Sequence, residues 1–170
     1  MKSVLQHYIK LALLKAEPQD MPASNVLQAI LIFLYIIFAV INTSSMYQIW
    51  QGLLHGVIDI MLLALFAYII VRSNKARFNQ TLNAFLGVSL VVGLVHAVST
   101  LFIPMGPQVH EIPELAQIIF FIIFIWVIVV YGHIIRYAAD VGMAVATTIS
   151  LFYIILNVMI LVSLSGLLKA

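Results

Sequence analysis

Long apolar runs separated by short polar breaks make up most of this chain. The first run, from Val26 to Ile41, follows Ser24, a residue suited to cap a helix, and fades at Asn42-Thr43-Ser44-Ser45. A second starts near Tyr47 and ends at Arg72-Ser73-Asn74-Lys75-Ala76-Arg77, and a third stops before Pro104, Gly106 and Pro107. A fourth follows Pro113, and a fifth ends before Lys169. With their flanking residues the runs reach the about 20 helical residues that cross the roughly 30 Å hydrocarbon core. The pattern predicts an all-α, polytopic membrane bundle of about five transmembrane helices, at 24–44, 47–71, 81–102, 114–137 and 141–167.

Residues 1–15 follow a different rule. At helical spacing Val4, Leu5, Tyr8, Ile9, Leu11 and Leu13 share one broad face, with Ser3, Gln6, His7 and Lys10 opposite. This predicts an amphipathic helix lying in the membrane interface and no cleaved signal peptide. Glu17-Pro18-Gln19-Asp20-Met21-Pro22-Ala23-Ser24 then breaks the helix and reads as a hinge. The whole of 1–170 reads as a single membrane domain.

Composition supports the membrane reading: 64% of the 170 residues are hydrophobic and 8% charged, against about 45–50% and about 25% in soluble domains. With no cysteine, disulfides, iron–sulfur clusters and Cys-ligated zinc are excluded. A net charge of +2 implies no nucleic-acid partner. Charge placement sets an orientation, because short cytoplasmic loops collect Lys and Arg. With five spans, Lys2, Lys10, Lys15, Arg72, Lys75, Arg77 and Arg136 fall on one side and only Lys169 on the other. The N-terminus is therefore expected in the cytoplasm and the C-terminus outside. Tyr68, Tyr131 and Tyr137 would sit near the inner interface and Tyr47 and Trp50 near the outer one, while Trp126 falls mid-span.

Ionisable groups inside the bilayer are costly, by at least about 2.5–3.5 kcal/mol near a helix centre, and so mark places of interest. In the second span Gly52, His55, Gly56 and Asp59 form one stripe; in the third, Ser89, Gly93, His96, Ala97 and Thr100 form another. Small residues four apart let helices approach closely, so Gly52, Gly56, Ser89, Gly93 and Ala97 are expected to bring these two spans together. His55 and His96 lie at matched depth, about 12 Å from the outer surface at about 1.5 Å per residue. Asp59 lies one turn deeper, where it would accept a hydrogen bond or be held protonated by desolvation. Asn157, on a stripe with Ala146, Ser150 and Tyr153, completes an expected polar cluster. His133, near Arg136, Tyr137 and Asp140, is expected to snorkel and anchor the fourth span.

No nucleophile–base constellation is present, so no enzymatic activity is expected. No cofactor or metal is expected either. A haem between His55 and His96, serving electron transfer, and zinc on His55, Asp59 and His96 are both weak alternatives, the zinc set being short of ligands. The first functional expectation is a scaffold or assembly role, through helix packing and a cytoplasmic basic face of Arg72, Lys75 and Arg77. That face would meet anionic lipid, a membrane-protein partner or a second copy. The alternative is a small proton or cation transporter or channel component using the Asp/His cluster.

Two local strings carry a resemblance: residues 14–24, Leu-Lys-Ala-Glu-Pro-Gln-Asp-Met-Pro-Ala-Ser, and residues 77–82, Arg-Phe-Asn-Gln-Thr-Leu. Together with the amphipathic segment, the proline hinge and the close spans, the chain resembles Yip1-type membrane proteins and small bacterial inner-membrane proteins. The resemblance implies a non-enzymatic membrane protein with partners, in the bacterial inner membrane, and carries no catalytic residue.

Overall fold

The computed structural model describes residues 2–43, 48–71, 75–100 and 114–167. They form six helices: α1 (Lys2–Ala12), α2 (Asn25–Thr43), α3 (Ile49–Val71), α4 (Lys75–Thr100), α5 (Glu114–Ala139) and α6 (Met143–Leu167). Four stretches, Ile49–Val71, Arg77–Val95, Glu114–Ala139 and Met143–Leu164, are long and apolar enough to cross a membrane; Asn25–Ile41 in α2 is a shorter apolar helix. The surface agrees with such an environment. Phe33, Met61, Phe121, Phe152 and Met159 are each more than 60% exposed, an apolar exterior that water would penalise.

The helices begin and stop for local reasons. Ser24 accepts a hydrogen bond from the Leu27 amide at 3.3 Å, capping α2 as its sequence predicts. Leu14 ends α1 in the left-handed region at φ 60°, and the Lys15 amide closes on the Lys10 carbonyl at 2.7 Å. Asp140, at φ 56°, does the same for α5, allowing α6 to fold straight back. The returning helix approaches so closely that a Cβ on Gly132 would lie 3.0 Å from the Thr147 Cα.

Helix α4 starts at Lys75, six residues before the expected start at 81. Its first turns carry Asn79, Gln80 and Asn83, residues that compete with helix when their side chains seek backbone partners nearby. Here those side chains are used elsewhere. Gln80 donates to the Gln19 carbonyl at 3.0 Å, and Asn83 to the Pro22 carbonyl at 3.1 Å and to that of Ser24 at 3.4 Å. Asn79 donates to Asn25 at 2.9 Å. The proline segment is thus held along α4 as a fixed strap, with Pro18 and Met21 buried beneath it.

The strap continues into α1. Trp126 donates its indole N–H to the Ala12 carbonyl at 2.9 Å, and His133 bonds the Ala16 carbonyl at 2.9 Å. One expectation changes accordingly. His133 does not snorkel: it is 8% exposed and holds the N-terminal segment. Trp126 has a task away from any interfacial belt. The Tyr8 ring fills the space that a side chain at Gly87 would need. Around this strap lies the core, with residues 81–88 of α4 all buried, joined by Leu63 and Ala67 of α3 and by Val130, Ile134 and Ile135 of α5. The end bearing the strap is called proximal below.

The glycine stripes also meet a different neighbour. A Cβ on Gly56 would lie 3.0 Å from the Ala39 Cβ, and one on Gly93 would strike the Phe38 ring. Both glycines face α2 rather than each other. Helix α2 therefore lies against the two stripes that the spacing suggested would pair.

Candidate functional site

Halfway along the bundle, four rings from four helices form a layer. Phe66 of α3 stacks on Tyr153 of α6 at 4.0 Å between centroids. Tyr153 lies 6.2 Å from Tyr131 of α5, which meets Phe85 of α4 edge-on at 4.9 Å. Edge-on and offset contacts of this kind each contribute about 0.5–1.5 kcal/mol beyond burial. The layer closes the proximal core. Tyr131, expected near an interface, is instead 8% exposed within it.

Polar groups gather on the far side of this layer. Asp59 of α3 accepts hydrogen bonds from two helices: the Tyr35 hydroxyl of α2 donates to Oδ2, and the Asn157 amide of α6 donates to Oδ1 at 2.6 Å. The same amide lies 3.4 Å from the Tyr153 hydroxyl. Across the bundle, the Tyr131 hydroxyl and Ser89 Oγ are 2.6 Å apart, and Ser89 Oγ donates to the Phe85 carbonyl at 2.7 Å. With the serine proton so used, the tyrosine is the donor between the two.

Both donors to Asp59 are neutral. Among the described residues no Lys or Arg is paired with it, the ion pair present being His7 with Asp20 at 3.9 Å. A carboxylate offers about four acceptor positions, so two neutral bonds leave it able to accept more. It also has room to do so. A cavity of about 160 Å³ is lined by Tyr35, Asp59, Tyr131, Tyr153 and Asn157 among others. A second, of about 240 Å³, brings in His55, Gly56, Ser89 and Gly93 beside Tyr35 and Asp59. A third, of about 350 Å³, runs from Tyr35, Ser89 and Tyr131 along Phe120, Ile123, Phe124 and Val127. Tyr35 borders all three, so they adjoin one another around its side chain and are together called the cleft, each cavity being one lobe.

Of the cluster expected from sequence, Asp59 and Asn157 meet directly, and His55 borders the same cleft. The side chain of His96 lies outside the described residues, as does that of Lys75 and the whole of Arg72; Arg77 is described and exposed. Gly52 is buried and Ala97 half-buried, neither touching the cleft. Among the described residues no three His, Asp or Glu converge as metal ligands. Tyr35 was the residue that sequence reasoning missed. The available signal was its hydroxyl, alone at mid-helix within the apolar stretch Ile30–Ile41. The chain matches no protein-family model, no curated protein and no solved structure.

Proposed function

We propose that this is a five-span integral membrane protein in which Asp59 takes up and releases a proton or another cation inside the bundle. Helix α2 supplies the fifth span. Its 19 residues fall within the roughly 17–25 that cross a bilayer. Its outward stripe, Val26, Ile30, Phe33, Ile37 and Ile41, is apolar and exposed along its length. Helix α1 then lies at the interface, with Tyr8, Leu11 and Ala12 against the bundle and Leu5, Ile9 and Leu13 turned outward. The positive-inside rule puts the proximal end in the cytoplasm, and the bacterial inner membrane is the membrane that best suits such a chain.

One observation carries the functional part: among the described residues the Asp59 carboxylate is bound by neutral donors, and it borders open space. A scaffold would use such a carboxylate as a register clamp, and a clamp needs no cavity. A group that gains and loses a cation needs both an unneutralised charge and a route to it. Among the described residues, the ionisable groups around Asp59 are Tyr35 from α2, His55 from its own helix, Tyr131 from α5 and Tyr153 from α6, and α4 presents Ser89, which does not ionise.

The test is proton flux into proteoliposomes of the full chain after an acid pulse, across the range of about pH 5 to 8 that spans physiological conditions. Wild type should acidify the lumen faster than protein-free vesicles, and Asp59→Asn, melting like wild type, should not. Flux equal to that of empty vesicles, or unchanged by Asp59→Asn, contradicts the proposal.

A further inference from the structure

The cleft has two unlike ends. At one, Asp59, Tyr35, Asn157, Tyr153, Tyr131 and Ser89 supply a carboxylate, hydroxyls and an amide. At the other, Phe120, Ile123, Phe124 and Val127 of α5 supply an apolar wall with no polar side chain among them. A bare metal ion would leave that wall unused. It would also lack ligands, since hard cations take about 6–8 oxygens and a single carboxylate stands here. The larger lobe, at about 350 Å³, lies within the roughly 300–1,000 Å³ of small-molecule sites, which combine apolar walls with a few convergent polar groups.

A ligand complementary to both ends carries a positive charge and an apolar group. Aromatic faces favour such a charge when it is diffuse, as in a substituted ammonium. Tyr131 and Tyr35 border both the carboxylate lobe and the apolar lobe, so a cation beside Asp59 would lie within reach of their rings. We infer that the cleft binds an organic ammonium ion, its charged head between Asp59 and the Tyr35 and Tyr131 rings and its apolar substituent along Phe120 and Phe124. This rests on the reading of Asp59 as a cation site, and names the class of cation.

The experiment is calorimetric titration of the detergent-purified full chain with three probes: benzyltrimethylammonium, tetramethylammonium and phenylmethanesulfonate. The first should bind saturably at one site and the third, an anion of like shape, should not. Tetramethylammonium should bind about tenfold more weakly, having no group for the apolar lobe. Asp59→Asn should weaken both ammonium ions by about tenfold or more, and Phe124→Ala should weaken only the benzyl compound. Should Asp59→Asn not fold, the cation–anion comparison and Phe124→Ala decide on their own. The inference is overturned by the absence of saturable ammonium binding, by equal binding of the sulfonate, or by benzyl binding indifferent to both substitutions. Proton flux in proteoliposomes made from the same purified protein separates the two levels. Asp59-dependent flux without ammonium binding overturns this inference alone, whereas neither flux nor binding overturns the underlying reading as well.

Discussion

Residues 81–88 of α4 are buried on every side, whereas Leu94, Val95 and Val98, two turns further along the same helix, are exposed. The same contrast runs through α5, where Val130, Ile134 and Ile135 are fully buried and Leu115, Ile118, Phe121 and Ile122 lie open. The proximal half is closed because the strap and α1 fill the groove that the long helices leave. The distal half has no such filler among the described residues, and its gap is the cleft. A helical bundle in lipid has little to drive full closure, since lipid tails are as apolar as the side chains. Where closure occurs here, hydrogen bonds to backbone carbonyls and one ring seated over a glycine enforce it. Where it is absent, a carboxylate is exposed to a cavity. The two halves should therefore differ in what a substitution costs.

The largest cost should come from Gly87→Leu. The new side chain would occupy the space of the Tyr8 ring, and overpacking of this kind costs about 1–3 kcal/mol or displaces the element concerned. Thermal unfolding and proteolysis of residues 2–24 should both show it, and Tyr8→Ala should relieve part of the loss. Asn83→Leu comes next. It removes the donor to the Pro22 carbonyl, while that of Ser24 keeps the Gln28 amide, and a hydrogen bond of this kind contributes about 0.5–1.5 kcal/mol. Strap release by proteolysis should precede global unfolding in this variant.

Alkaline pH should loosen the same half. Burial pushes the Tyr8 hydroxyl up to about 12, above the value near 10 of a free tyrosine. The folded state therefore holds this proton more tightly than the unfolded one. Its contribution is complete below about pH 10 and is lost as the pH climbs through 10 towards about 12. The Tyr8 hydroxyl is buried with no hydrogen-bond partner among the described residues, so Tyr8→Phe should keep the strap docked and abolish this alkaline release, read by the same proteolysis. Loosening that persists in Tyr8→Phe would place its cause elsewhere.

In the distal half, stability should barely move. Phe124→Ala removes a side chain that is 41% exposed and should stay within about 0.5 kcal/mol of wild type, as surface substitutions do. A melting-point loss like that of Gly87→Leu would erase the contrast between the halves.

Much of this was legible in the amino-acid sequence, and the rest was hidden for identifiable reasons. Apolar runs located the long helices, and the cost of an acid in lipid singled out Asp59. Depth alone paired it with Asn157. The start of α4 was obscured because Asn79 and Gln80 read as loop residues until their partners, more than fifty positions earlier, are known. Stripes such as Gly56 and Gly93 announce a close approach but not which helix makes it. Tyr35 was overlooked because a tyrosine in an apolar run counts as a hydrophobe until its hydroxyl has an acceptor.

The central claim is that the distal cleft admits cations and the adjoining proximal core does not. The chain contains no cysteine, so single cysteines can be placed at neighbouring positions on either side of the boundary. Ser89 borders the cleft and Val88 is 0% exposed. Ser89→Cys in proteoliposomes should react with a cationic methanethiosulfonate, faster than with its anionic counterpart, and Asp59→Asn should remove that preference; Val88→Cys should stay unreactive. Equal reactivity at the two positions, or no preference for the cationic reagent at position 89, would contradict the account.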